Sequence, residues 1–428
     1  MILRKYYIGI LAVLTVLMNS CEDKKLQTLT ANVPIYLTYE ELRTAVEIED
    51  PVEIVKPGKI YFKDDYIFIN EFMEGVHVVD ISDPSSPEQK AYIPVPGNVD
   101  MAIKGNMLYL DSYTDLVLID VTDPANPLES ARVEDILEYT LPPWDEDYPL
   151  ADIDEDEGVV IDWEVKEYTR EINRNPYPWP VYYGWESSAR FDMASSSAAG
   201  VSAPASTYGV GGSMARFLTY DNYLYMLNTD YQLKAFDISD LENPELKYDK
   251  YVGWGLETMF IYDEHMYLGA QNGMYILSLE KPSEPFKKSM YSHITSCDPV
   301  VVQGDYAYVT MRSGNLCGGS ADLLEVVDIS NKYEPERIAS YVMEEPYGLG
   351  ISGNKLFVCQ GENGLYVYDA ANPQAITNNQ LARFSDIHAF DVIPLNGNLY
   401  TTGDSGFYIY DYNDPLDIFK LGEIKVAE

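Results

Sequence analysis

Short apolar runs that end in aspartate and break at a proline-containing turn recur along the chain. They are Val76–Asp80 (VHVVD), Leu116–Asp120 (LVLID), Leu233–Asp237 (LKAFD), Leu324–Asp328 (LEVVD), Leu365–Asp369 (LYVYD) and Phe407–Asp411 (FYIYD). Met274–Ser278 (MYILS) is a weaker copy that has lost the aspartate. Before most copies stand two apolar runs joined at Gly105-Asn106, Asp221-Asn222, Gly304-Asp305 or Gly353-Asn354. Gly, Asn and Asp tolerate the positive φ that tight hairpin turns require. A further run follows the proline turn, as in Lys90–Val95. Four short antiparallel strands in every ~40 residues predict a propeller blade.

The pattern predicts an all-β fold: a single β-propeller of four-stranded antiparallel blades over 59–428. Seven blades are expected, with six or eight as alternatives. The uncertainty comes from an insertion at about 134–212, because Asp120 and Asp237 are nearly three repeat lengths apart. Within it, Gly158–Thr169 reads as a hairpin. Upstream, Thr38 and Glu41 form a capping-box pattern ahead of Leu42, Ala45 and Val46, which predicts one short helix within 33–58. Residues 52–58 resemble an outer blade strand and are expected to help close the ring.

Leu116–Asp120 resembles the LVIVD repeat of a family of extracellular bacterial β-propellers, and the strings at 76–80, 324–328 and 365–369 support the match. The resemblance covers roughly 59–420 apart from the insertion. It implies the fold and says little about activity.

The N-terminus adds a compartment. Arg4 and Lys5 precede an apolar run, Tyr6–Met18, shorter than the roughly 20 residues of a membrane-spanning helix. Residues 1–20 therefore read as a signal peptide. Asn19-Ser20-Cys21 is similar to the lipobox of bacterial lipoproteins, although Asn19 is not the commonest residue there. That likeness implies diacylation of Cys21, a linker over 21–32, and an outer membrane lipoprotein facing the periplasm or the cell surface. Multiple acyl chains on one residue make a firm anchor.

Charge narrows the partners. With 69 acidic and 29 basic residues the net charge is −40, a field that repels nucleic acid and anionic lipid surfaces. The expected partner is an envelope protein or a glycan.

Candidate chemistry is sparse. The repeat aspartates are expected to cap their own turns by accepting backbone N–H groups. The chain has no G-x-S-x-G or H-E-x-x-H motif, and His77, His265, His293 and His388 lie in different repeats. Asp152, Asp154 and Asp156 alternate before Gly158 like the start of a calcium loop, but Gly stands one position late and Trp163 occupies the place of the bidentate Glu. No cofactor other than Ca²⁺ is suggested. Cys297 and Cys317 flank one strand–turn–strand unit, as a disulfide in an oxidising compartment does; Cys359 reads as a small buried apolar residue. Tyr177, Trp179, Tyr182, Tyr183 and Trp185 form a proline-stiffened aromatic stretch suited to ligand contact.

Three functions compete: a binding scaffold, an enzyme with its site in the central channel, and a structural component of a larger surface complex. A funnel lined by clustered carboxylates, His and Arg would favour catalysis. A face dominated by exposed aromatic side chains would favour binding.

Overall fold

The computed structural model describes residues 25–55, 57–172, 213–293, 299–313, 321–414 and 417–426. They belong to two compact units. One comprises the described residues of 36–143, 157–161 and 213–426; the other comprises 25–35, 144–156 and 162–172.

The larger unit is a seven-bladed propeller. Its blades occupy 57–94, 101–133, 217–251, 256–292, 300–342, 349–384 and 389–425, and each is a sheet of four strands taken consecutively from the chain. Blade 1 is typical: Pro57–Lys63, Tyr66–Glu71, Gly75–Asp80 and Glu88–Pro94 pair in that order, all antiparallel. The first strand of each blade is innermost; from blade 1 to blade 7 each adjoins the first strand of the next, and that of blade 1 adjoins the second strand of blade 7. No blade arises from the insertion among the described residues, so the count is seven.

Every blade carries the same irregularity. The register between third and fourth strands shifts at Val78/Val79, Leu118/Ile119, Ala235/Phe236, Ile276/Leu277, Val326/Val327, Val367/Tyr368 and Ile409/Tyr410. A bulge sharpens the local right-handed twist, which helps each outer strand turn away from the ring.

The core lies between sheets. The middle strands are apolar on both faces, as in Leu116–Ile119, because each sheet is covered by a neighbour on either side. Blade 7 closes onto blade 1 in the same way: Ile60, Phe62 and Ile67 pack with Ile393, Tyr400 and Phe407, and the rings of Phe62 and Tyr400 lie 4.3 Å apart. The expected closing strand at 52–58 is therefore corrected. Residues 52–55 form no strand, Pro57 begins the innermost strand of blade 1, and side-chain packing seals the ring without strand exchange.

The short helix is present as α1, Tyr39–Thr44, with the Thr38/Glu41 capping box formed. Arg43 ties it to blade 2 through Asp115, whose carboxylate also pairs with Arg132.

In the smaller unit, Lys25–Leu37 and Val159–Ile172 lead into and through a two-stranded ribbon. This corrects two expectations. The linker assigned to 21–32 is already strand from Lys25, and Gly158–Thr169 is not a hairpin, since Val159–Ile172 is one continuous strand whose partner is Lys25–Leu37. A partner distant in sequence leaves no local signal.

Candidate functional site

The repeat aspartates spend their side chains on the fold. Asp80, Asp120, Asp237, Asp328, Asp369 and Asp411 each accept the N–H of the residue two positions on, at 2.7–3.0 Å. Ser278 does the same with its hydroxyl, accepting from Glu280 at 3.3 Å. This is the turn-capping role expected of them.

A different set of residues emerges where the inner strands begin. Counting back four positions from the last residue of each inner strand gives Lys59, Asp100, Arg216, Thr258, Pro299, Gly348 and Asp391, one per blade. All are buried. Lys59 Nζ donates to Asp100 Oδ2 at 2.7 Å, and the same oxygen accepts the N–H groups of Arg216 and Phe217. Arg216 donates through Nε and Nη2 to the carbonyls of Leu227 and Thr229 at 2.9 and 3.2 Å. Behind Asp100, Asp111 Oδ1 accepts from the amides of Val99 and Asp100 and from Asn98 Nδ2, at 2.8–3.0 Å.

Burial governs the charges here. It pushes the Asp111 carboxyl up to about 6, against the pull of its two amide donors. It lowers Lys59 and Arg216 from their ordinary values, with Asp100 opposing both. Asp391 is raised well above the carboxylate range by burial. Its Oδ1 accepts from Val392 N at 2.7 Å and from Ser213 Oγ at 3.3 Å, while its Oδ2 has no partner among the described residues. Blade 6 has glycine at the ring position for a steric reason: a Cβ on Gly348 would lie 2.1 Å from Asp391 Oδ1.

Ser213 reveals how this end of the channel is filled. It precedes blade 3 by a few residues, yet its hydroxyl accepts from Leu349 N of blade 6 at 3.2 Å and donates to Asp391 of blade 7. The Ala215 carbonyl meanwhile accepts from Met259 N of blade 4 at 2.7 Å. Blades 6 and 7 stand opposite blade 3 in a ring of seven, so 213–216 crosses the axis. All four of its residues are buried. The chain returning from the insertion plugs the channel with its own backbone.

Around this end lie exposed side chains. The Val252–Gly255 link between blades 3 and 4 presents Trp254, half exposed, beside Tyr251, whose ring stacks on Tyr231 with centroids 6.4 Å apart. Near blades 6 and 7, His388 Nδ1 pairs with Asp404, and the buried His388 Nε2 has no partner among the described residues. Phe390 and Tyr347 flank the imidazole, with centroids 4.6 and 6.3 Å away, and the Arg312 guanidinium lies 4.0 Å from the Tyr347 ring centroid.

Of the residues singled out from sequence, Cys21, Tyr177, Trp179, Tyr182, Tyr183, Trp185, Cys297 and Cys317 lie outside the described residues. Asp152 accepts from the Tyr168 hydroxyl at 2.8 Å and Asp154 from Asp156 N at 3.1 Å. Among the described residues no group of three or more His, Cys, Asp and Glu side chains could hold a metal ion. Cys359 is fully buried, and burial pushes its thiol up. His77 is buried against Glu71, with Nε2 2.8 Å from the carboxylate. Sequence reasoning missed the ring of Lys59, Asp100, Arg216 and Asp391. The signal was available: aligning the hairpin turns puts these residues in register.

Comparison with known proteins agrees with the repeat pattern. The family described as the LVIVD repeat matches residues 58–92, 97–135 and 296–342. The periplasmic gluconolactonase PpgL of Pseudomonas aeruginosa superposes with a TM-score of 0.52 at 9% identity, covering 86% of this chain and 96% of that one. BamB from Moraxella catarrhalis gives 0.45 at 8% identity, covering 91% and 98%. The first likeness is one of fold alone. No curated protein matches the chain.

Proposed function

We propose that this LVIVD-repeat propeller is a lipid-anchored, extracytoplasmic scaffold that binds a protein or glycan through the face carrying its insertion. The observation behind the reading is the plugged channel. Ser213–Arg216 fills the axial position where a substrate would sit, and the buried charges around it are largely satisfied by one another. What this end offers to a partner is its exterior, where Tyr251 and Trp254 are presented. Aromatic side chains with an apolar body and a polar tip are the usual anchors of such contacts. The segment around Cys21 supports the anchor and the compartment.

The test uses full-length protein. Cys21→Ala is expected to leave the membrane fraction and appear in the soluble one. Tagged wild type is expected to retain an envelope component that Tyr251→Ala/Trp254→Ala and Trp179→Ala/Trp185→Ala lose while keeping the wild-type melting temperature. Retention unaffected by either pair would remove the face from the reading.

The second reading, a channel-mouth enzyme, draws on the Asp404–His388 pair, whose Nε2 is buried and has no partner among the described residues. It predicts turnover that His388→Gln abolishes. The described residues place no nucleophile against Nε2, which is why the scaffold stands first.

A further inference from the structure

We propose that the cleft on the outer side of blades 3 and 4 binds an anionic oligosaccharide, at a site apart from the face that presents Tyr251 and Trp254. The cleft measures about 600 Å³. Lys250 lines it from the outer strand of blade 3, and Phe286 and Lys287 from the outer strand of blade 4. The connecting turn supplies Glu280, Lys281 and Glu284.

Its charge runs against the rest of the molecule. In a chain of 69 acidic and 29 basic residues, this lining carries three lysines and two glutamates. The glutamates are already engaged: Glu284 with Lys281 at 2.5 Å and Lys250 at 3.5 Å, Glu280 with Lys288 at 3.2 Å. Lys287 makes no ion pair among the described residues; its ammonium stands 4.4 Å from the Tyr275 ring centroid. Lys287 is thus a lining cation held by an aromatic ring and by no carboxylate among the described residues.

The walls are fixed before a ligand arrives. The Tyr225 hydroxyl donates to the Pro282 carbonyl at 2.7 Å, and Glu284 N donates to the Lys281 carbonyl at 2.9 Å. A preorganised site loses little to ordering. The Phe286 ring, 43% exposed, offers a face for the C–H side of a pyranose, which an acidic peptide has no matching group to use. Lysine for the carboxylate and an aromatic face for the ring together fit a sugar acid.

The experiment is calorimetric titration of the full chain with a short oligogalacturonate, a neutral oligogalactan of equal length and an oligoglutamate peptide. Lys287→Gln, Lys250→Gln and Phe286→Ser are titrated alongside, each checked for an unchanged melting temperature. Oligogalacturonate is expected to bind saturably, each substitution to weaken it about tenfold, and the neutral sugar not to bind. Failure of oligogalacturonate to bind, or equal binding of the neutral sugar, overturns the proposal. Equal binding of oligoglutamate with Phe286→Ser unaffected also overturns it, in favour of an acidic-peptide groove. Partner retention through Tyr251 and Trp254 is a separate readout: its loss with cleft binding intact sinks the scaffold face alone, and the converse sinks the cleft alone.

Discussion

Lys59 of blade 1 and Asp100 of blade 2 meet at 2.7 Å with both side chains out of solvent. The contact links two blades whose sheets share no strand, and removing either group breaks a buried ion pair. Lys59→Met alone is expected to cost about 3–5 kcal/mol, the range for breaking a buried pair. In the Asp100→Asn background the same change should cost clearly less. Urea denaturation of the four proteins measures this; strict additivity would show that the pair is not coupled.

The repeat turns predict an asymmetry between blades. Asp120→Ala removes the acceptor for Thr122 N and is expected to cost about 1 kcal/mol, as for an ordinary hydrogen bond. Ser278→Asp is expected to destabilise blade 4, because Ser278 is fully buried whereas the aspartates at this position are partly exposed. An unchanged melting temperature for Ser278→Asp would show that the site tolerates the charge.

Asp111 predicts a pH dependence of definite sign. Its folded carboxyl is raised to about 6 by burial, above the unfolded value near 4. A raised group binds its proton more tightly when folded, so its contribution is full below pH 4 and lost as pH rises through 6. Asp111→Asn should flatten stability against pH across that window. If wild type and variant run parallel from pH 4 to 7, the assignment to Asp111 is wrong.

Gly348 predicts a clash that a second substitution relieves. A methyl group there meets the Asp391 carboxylate, so Gly348→Ala is expected to cost about 1–3 kcal/mol, the usual range for overpacking. In an Asp391→Ala background the penalty should fall. Equal melting shifts in both backgrounds would place the strain elsewhere.

Much of this was legible in the sequence because it is local. A blade is four strands consecutive in the chain, so the Leu116–Asp120 pattern and the Gly105-Asn106 turn sit within one stretch of residues that also fold together. The capping aspartates reach only two residues ahead, and Thr38 and Glu41 lie one helical turn apart. Closure was misread for the opposite reason. The 52–58 string looks like an outer strand by composition, but only the packing of Phe62 on Tyr400 decides that the ring seals through side chains.

By itself, then, the chain's alternation of apolar runs, aspartates and glycine turns determined strand, blade and propeller, since each depends on contacts between near neighbours. The axial site was decided by tertiary structure alone. Lys59, Asp100, Arg216 and Asp391 are scattered over more than three hundred positions, and only circular closure gives them one axis. Ser213 belongs in sequence to the insertion's return, and only the ring carries it across to Leu349 and Asp391. Burial at that crossing then raises the Asp391 carboxyl well above its ordinary range, a property of the surroundings that no residue carries in its own identity.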